Sequence, residues 1–125
     1  RKPMPYIVGP TTPSHLNMSA GIVQSGIKTT EATGANNLVS LTAADYQSVD
    51  YQVQVIRGSN YNSALIKVIH DGTNTYMTEY GNVNQPSVGI ATFSTDVNSG
   101  DLRLLAYPDA ATATTFKFIY SAIKS

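Results

Sequence analysis

The chain has 125 residues, the length of one domain and enough to bury roughly two-thirds of the surface its unfolded form exposes. Only 13% of the residues are charged, and eight Lys and Arg balance eight Asp and Glu to a net charge of zero. This argues against a phosphate-neutralising nucleic-acid surface and against attraction to an anionic membrane, while the absence of cysteine removes disulfide frameworks, thiol catalysis and thiolate zinc sites.

Residues 1 to 20 read as an extended arm, and residues 21 to 125 as the folded domain. The arm holds four of the six prolines, Pro3, Pro5, Pro10 and Pro13. Proline fixes φ, removes a donor and pushes its predecessor to extended geometry, so this stretch is neither a helix nor a central strand. Two readings stand side by side: a disordered linker, or an arm that docks on a neighbouring subunit. The apolar content of Met4, Tyr6, Ile7, Val8, Leu16 and Met18 speaks for docking, since free linkers seldom carry it. The candidate contact residues here are Pro5, Tyr6, Ile7, Val8 and Pro10. The sequence starts on Arg1, which suggests a processed product or an excerpt of a longer polypeptide.

Beyond Gly21 the pattern is strand and turn. Ile22–Thr33 is rich in β-branched residues and runs into a turn cluster at Gly34-Ala35-Asn36-Asn37. Leu38–Leu41 is a short strand, and Thr42–Tyr46 has the character of one helical turn with Thr42 as its cap. Val49–Val55 alternates strictly between apolar and polar, the signature of a half-buried strand. Gly58–Asn62 turns the chain. Ala64–His70 is more uniformly apolar, as for a strand covered on both faces. Asp71-Gly72 between two strand-like runs signals a hairpin, answered by Thr75–Val83 with an end at Gly81 and Asn82. Val88–Thr95 and Asp101–Tyr107 flank a second hairpin turn, and Thr112–Ile123 is a final strand with Phe116, Phe118 and Tyr120 on one face. About eight strands at this spacing predict an all-β antiparallel β-sandwich, with a jelly roll as one compatible arrangement.

Few residues suggest chemistry. His70-Asp71 is the one histidine–carboxylate neighbour pair, but a triad also needs a nucleophile and an oxyanion site, and a hairpin corner accounts for both residues. Asp96–Asp101 resembles a calcium loop, yet Gly100 falls fifth rather than sixth and Tyr107 occupies the position of the bidentate Glu. Glu79 and Asp101 form no more than a chance glycosidase pair among eight scattered acids. No catalytic residue, metal site or cofactor is expected. Eight tyrosines suit sugar stacking and protein interfaces. Tyr61 and Tyr107, beside turns, are the candidate exposed contacts, whereas Tyr51, Tyr76, Tyr80 and Tyr120 fall within strands and are expected to be half-buried. Lys67, Arg103 and Lys117 are the only basic residues in the later strands apart from the terminal lysine, and so sparse a charge on strand edges suggests cover by neighbouring subunits.

The run from Tyr51 to the C-terminus resembles a β-sandwich domain of virion structural proteins in tailed phages, notably those of marine cyanobacteria. The carrying motifs are Tyr51–Val55, Val68–Thr73, Thr78–Gly81, Phe93–Asp96, Ser99–Ala106 with Pro108, and Thr115–Phe118. Residues 1 to about 40 carry no such resemblance. It implies a noncatalytic domain of a tail fibre, collar or head-decoration protein, located in the virion and assembled in the host cytoplasm. The implied partners are other virion proteins and further copies of the chain, a trimer among the options, with no nucleic acid and no membrane insertion. In a trimeric fibre Phe116, Phe118 and Tyr120 would pack around the shared axis; in a decoration protein they would form a private core. The alternative is a receptor- or carbohydrate-binding module at an appendage tip, taking a host-surface glycan.

Overall fold

The computed structural model describes residues 15–85 and 88–125. Nine antiparallel strands form two sheets: β1 (His15–Asn17), β2 (Gly21–Thr30), β3 (Asn36–Thr42), β4 (Tyr46–Arg57), β5 (Asn60–His70), β6 (Thr75–Gln85), β7 (Ala91–Asn98), β8 (Asp101–Pro108) and β9 (Thr114–Lys124). The larger sheet has the order β1-β2-β9-β4-β5-β6 and the smaller β3-β8-β7. No helix occurs among the described residues. The antiparallel β-sandwich expected from strand rhythm is therefore the fold. The connections β2–β3, β3–β4, β6–β7 and β8–β9 pass from one sheet to the other, whereas β4, β5 and β6 run as a meander within one sheet.

The two sheets close on one apolar core. Alternation places Val49, Tyr51, Val53 and Val55 of β4 inward, beside Ile66 and Val68 of β5 and Phe116, Phe118 and Tyr120 of β9. The smaller sheet supplies Val39, Leu41, Leu102, Leu104 and Ala106. Phe93 of β7 meets Phe116 edge to face across the sandwich, with ring centroids 6.1 Å apart. The aromatic row of β9 is thus a private core and cannot line the axis of a trimer, because its apolar faces are already spent against the second sheet.

Side chains fix the crossings. Asn36 shapes the passage from β2 to β3: its amide donates to the carbonyls of Ala32 (2.8 Å) and Gly34 (3.0 Å), and its oxygen accepts from Thr30 Oγ1 (3.0 Å). Arg57, at the end of β4, ties together two loops. It donates to Thr114 Oγ1 (3.0 Å), Asp109 Oδ1 (2.5 Å) and the carbonyl of Ile90 (3.3 Å). Asn62 adds a second tie by accepting from the Ile90 amide (2.7 Å).

Several expected boundaries move for physical reasons. Residues 15–17, on the arm side of the expected boundary, pair with β2. The helical turn expected at Thr42–Tyr46 is a tight turn, closed by Asp45 N–H to the Thr42 carbonyl (3.0 Å), and Thr42 ends a strand instead of capping a helix. Strand β6 passes beyond Gly81 and Asn82 to Gln85. Gly81 adopts φ +63°, and the partners of β5 step from Leu65↔Tyr80 to Ser63↔Val83, so one extra residue of β6 is absorbed as a bulge.

Candidate functional site

Strand pairing fixes which side chains share the outward face of the larger sheet. Asp50, Gln52 and Gln54 of β4 lie opposite Lys67, Leu65 and Ser63 of β5 and opposite Ser121, Ile119 and Lys117 of β9. The same rows continue to Val23, Ser25 and Ile27 on β2 and to Thr78, Tyr80 and Val83 on β6. Down the middle of this face, β4 therefore presents a polar spine. Apolar shoulders flank it.

Those shoulders collect nearly all the exposed large hydrophobic side chains. Among the described residues, ten of twelve belong to this face: Leu16, Ile27, Ile119 and Ile123 on one side, and Tyr61, Leu65, Ile69, Tyr76, Tyr80 and Val83 on the other. Met18 and Val88 are the remaining two. Ala64–His70, expected to be covered on both faces, alternates strictly, with Ile66 and Val68 buried and Leu65 and Ile69 open. Its two-sided apolarity is real. Among the described residues, only one side is covered.

The face is not flat. At the end where β4 meets the β4–β5 turn, a groove of about 470 Å³ runs between Ile27 and Ile119 on one wall and Tyr61 and Val83 on the other, with Gln52, Gln54 and Ser63 between them. A smaller hollow of about 240 Å³ continues it past Leu65, Tyr80 and Asp50. Asp50 is paired with Lys67 Nζ at 3.0 Å, which neutralises the only acid of the spine.

Of the residues singled out from sequence, Pro5, Tyr6, Ile7, Val8 and Pro10 lie outside the described residues. Tyr61 is 48% exposed and lines the groove. Tyr107 is half-buried on the smaller sheet, its hydroxyl 2.9 Å from Ser94 Oγ, so the two tyrosines are not brought together. Tyr76 and Tyr80, expected to be half-buried, are exposed, and Tyr51 and Tyr120 are buried instead. Burial pushes the Tyr51 phenol up, with a further push from Tyr120. Leu65, Ile69, Ile119 and Ile123 were not singled out; their signal was apolarity at both parities of one strand.

The remaining candidates resolve into structure. His70 is buried; its Nδ1 accepts from the Gly72 amide (2.9 Å), which leaves Nε2 to donate to the Tyr46 carbonyl (2.6 Å). Asp71 Oδ1 accepts from the amides of Asn74 (2.8 Å) and Thr73 (3.0 Å), and Oδ2 from the Tyr76 hydroxyl (3.0 Å). Those amides, Asn74 first, hold its carboxyl below the ordinary carboxylate range. Both residues serve the hairpin corner. Asp96 is held by Arg103 through two bonds of 2.8 and 2.6 Å, and Ser99-Gly100, both at positive φ, close the β7–β8 hairpin. Among the described residues no cluster of three metal-ligating side chains occurs. Glu79 lies on the larger sheet, 2.9 Å from the Asn82 amide, and Asp101 on the smaller.

No protein-family model matches the chain, and no curated protein does. Among solved structures it is similar to the tailspike protein of Acinetobacter baumannii phage AM24, at 10% identity and a TM-score of 0.45 over 82% of this chain and 26% of that one. It is also similar to the tailspike protein of Acinetobacter phage vB_ApiP_P1, at 17% identity and a TM-score of 0.42 over 100% of this chain and 24% of that one. The chain spans about a quarter of each tailspike.

Proposed function

We propose that the chain is a noncatalytic structural component of a tailed-phage virion, of the appendage, fibre or decoration type, which assembles with further copies of itself through the outward face of its larger sheet. The observation that carries this reading is the gathering of ten exposed large hydrophobics on one face. Exposed apolar side chains gathered on one face mark a contact site more often than a free surface. The phage assignment rests on the ordered motifs of residues 51–125 and their resemblance to cyanophage-type virion proteins. In this reading the residues ahead of β1 tether the domain, with Pro5, Tyr6, Ile7, Val8 and Pro10 against a neighbour.

The contact is assigned to the end of the face that carries Leu16, Ile69, Tyr76 and Ile123. Ile69 and Tyr61 are eight residues apart on β5, about 27 Å along the strand, so this end is separate from the groove. The test is mass spectrometry of purified particles of the phage that encodes the sequence. The chain is expected among the virion proteins in stoichiometric amount. Its presence in the infected-cell lysate together with absence from the particles would overturn the assignment.

A further inference from the structure

We infer that the groove beside Tyr61 is a binding site for an uncharged oligosaccharide. The inference does not depend on the chain being a virion protein. It follows from what the groove offers and what it withholds.

A sugar ring presents hydroxyls around its rim and C–H groups on its two faces. The groove matches both. Gln52 and Gln54 are outward-facing, exposed amides on adjacent rows of β4, and each amide can donate and accept at once, as neighbouring hydroxyls require. Tyr61, half exposed, supplies an aromatic face with a polar tip. Ile27, Ile119 and Val83 complete apolar walls against which C–H faces pack.

Other ligand classes fit less well. Lys117 is the one Lys, Arg, Asp or Glu among the described residues that line the groove. A nucleic acid or a polyanionic glycan would call for several cations. An extended peptide is recognised chiefly through its main chain at a free sheet edge. Here the floor is formed by β9, β4 and β5, each hydrogen-bonded to strands on both sides, so no main-chain groups remain to offer. The lining reaches from β2 to β6, across five strands. At about 4.8 Å per interval that is roughly 19 Å, the reach of a short oligosaccharide rather than a single sugar.

The experiment places the full chain on an array of neutral and anionic glycans, then titrates neutral tetrasaccharides that bind while amide shifts are followed. Tyr61→Ala and Gln54→Ala are compared with the unaltered chain; both positions are exposed, and melting temperature reports whether each variant folds. The expected result is binding of at least one neutral oligosaccharide, with shifts centred on Gln52, Gln54 and Tyr61. Tyr61→Ala should weaken it roughly tenfold at an unchanged melting temperature. The pair Ile69→Glu and Ile123→Glu, which tests self-assembly, should leave it unaltered. Binding restricted to anionic glycans, binding to no glycan, a peptide occupying the groove instead, or affinity indifferent to both groove variants would each overturn the inference.

Discussion

The hydroxyl of Tyr51 is the one side-chain polar atom among the described residues that is buried without a hydrogen-bond partner. Its ring packs on Tyr120, centroids 5.4 Å apart, and the core needs that volume rather than the oxygen. A buried unsatisfied hydroxyl carries its full desolvation cost. Tyr51→Phe is therefore expected to leave stability unchanged or raise it by about 1 kcal/mol, read by urea unfolding, and a loss of that size would reveal a partner for the hydroxyl. Asp96 is the opposite case. Its bond to Arg103 holds the carboxyl below the ordinary aspartate value of 3.8. A folded-state value below the unfolded one gives stability that is complete above about pH 4 and is lost as pH falls through the lower folded value. The pair is partly exposed, so the contribution is about 1 kcal/mol at most. Asp96→Asn should lower the melting temperature at pH 7 and should flatten the acid side of its pH profile; an unchanged acid limb would show that the pair contributes nothing.

At the scale of elements, β6 shows how an open edge is handled. It borders the larger sheet and has one charged side chain, Glu79, in eleven residues, so charge does little to protect it. The bulge at Gly81 does more, because an extra residue twists the edge away from a flat pairing template. Alanine at φ +63° costs about 1 kcal/mol or slightly more. Gly81→Ala is thus expected to lose about that much stability and to speed hydrogen exchange in Asn82–Gln85 ahead of β5; uniform exchange would place the bulge outside the stability of the edge. The strands themselves were legible wherever alternation or β-branched residues were strong, as in Val49–Val55 and Thr115–Ile123. What escaped was set by distant partners. Gly81-Asn82 reads locally as a stop, and only pairing with β5 carries the strand through it. Thr42–Ala44 reads as a helical start until Ala43 N–H bonds to the Gly100 carbonyl, 2.9 Å away. Of the candidate site, Tyr61 was legible from its place beside a turn. Ile119 and Gln54 were not, since neighbours across β4 and β9 lie more than sixty positions apart in sequence.

For the whole molecule, the decisive feature is an imbalance between two sheets. The inner face of the larger sheet is filled by the smaller one and by its own aromatic row, while its outer face carries Leu16, Ile69, Tyr76 and Ile123 to solvent at 50% exposure or more. At that end the outer face keeps apolar side chains that the described residues leave open, and the charges on neighbouring rows, Asp50 and Lys67, are paired with each other. The groove beside Tyr61 lies at the other end of that face, so assembly and ligand binding need not compete. Light scattering across a dilution series tests this most directly, with the unaltered chain beside the double variant Ile69→Glu and Ile123→Glu. Both substituted positions are exposed, so the variant should melt as the parent does. The unaltered chain is predicted to give a multiple of its 13.4 kDa mass that falls on dilution, and the variant a monomer throughout. A chain that stays monomeric at every concentration, or a variant that associates as strongly as the parent, would contradict the claim that this face is where copies meet.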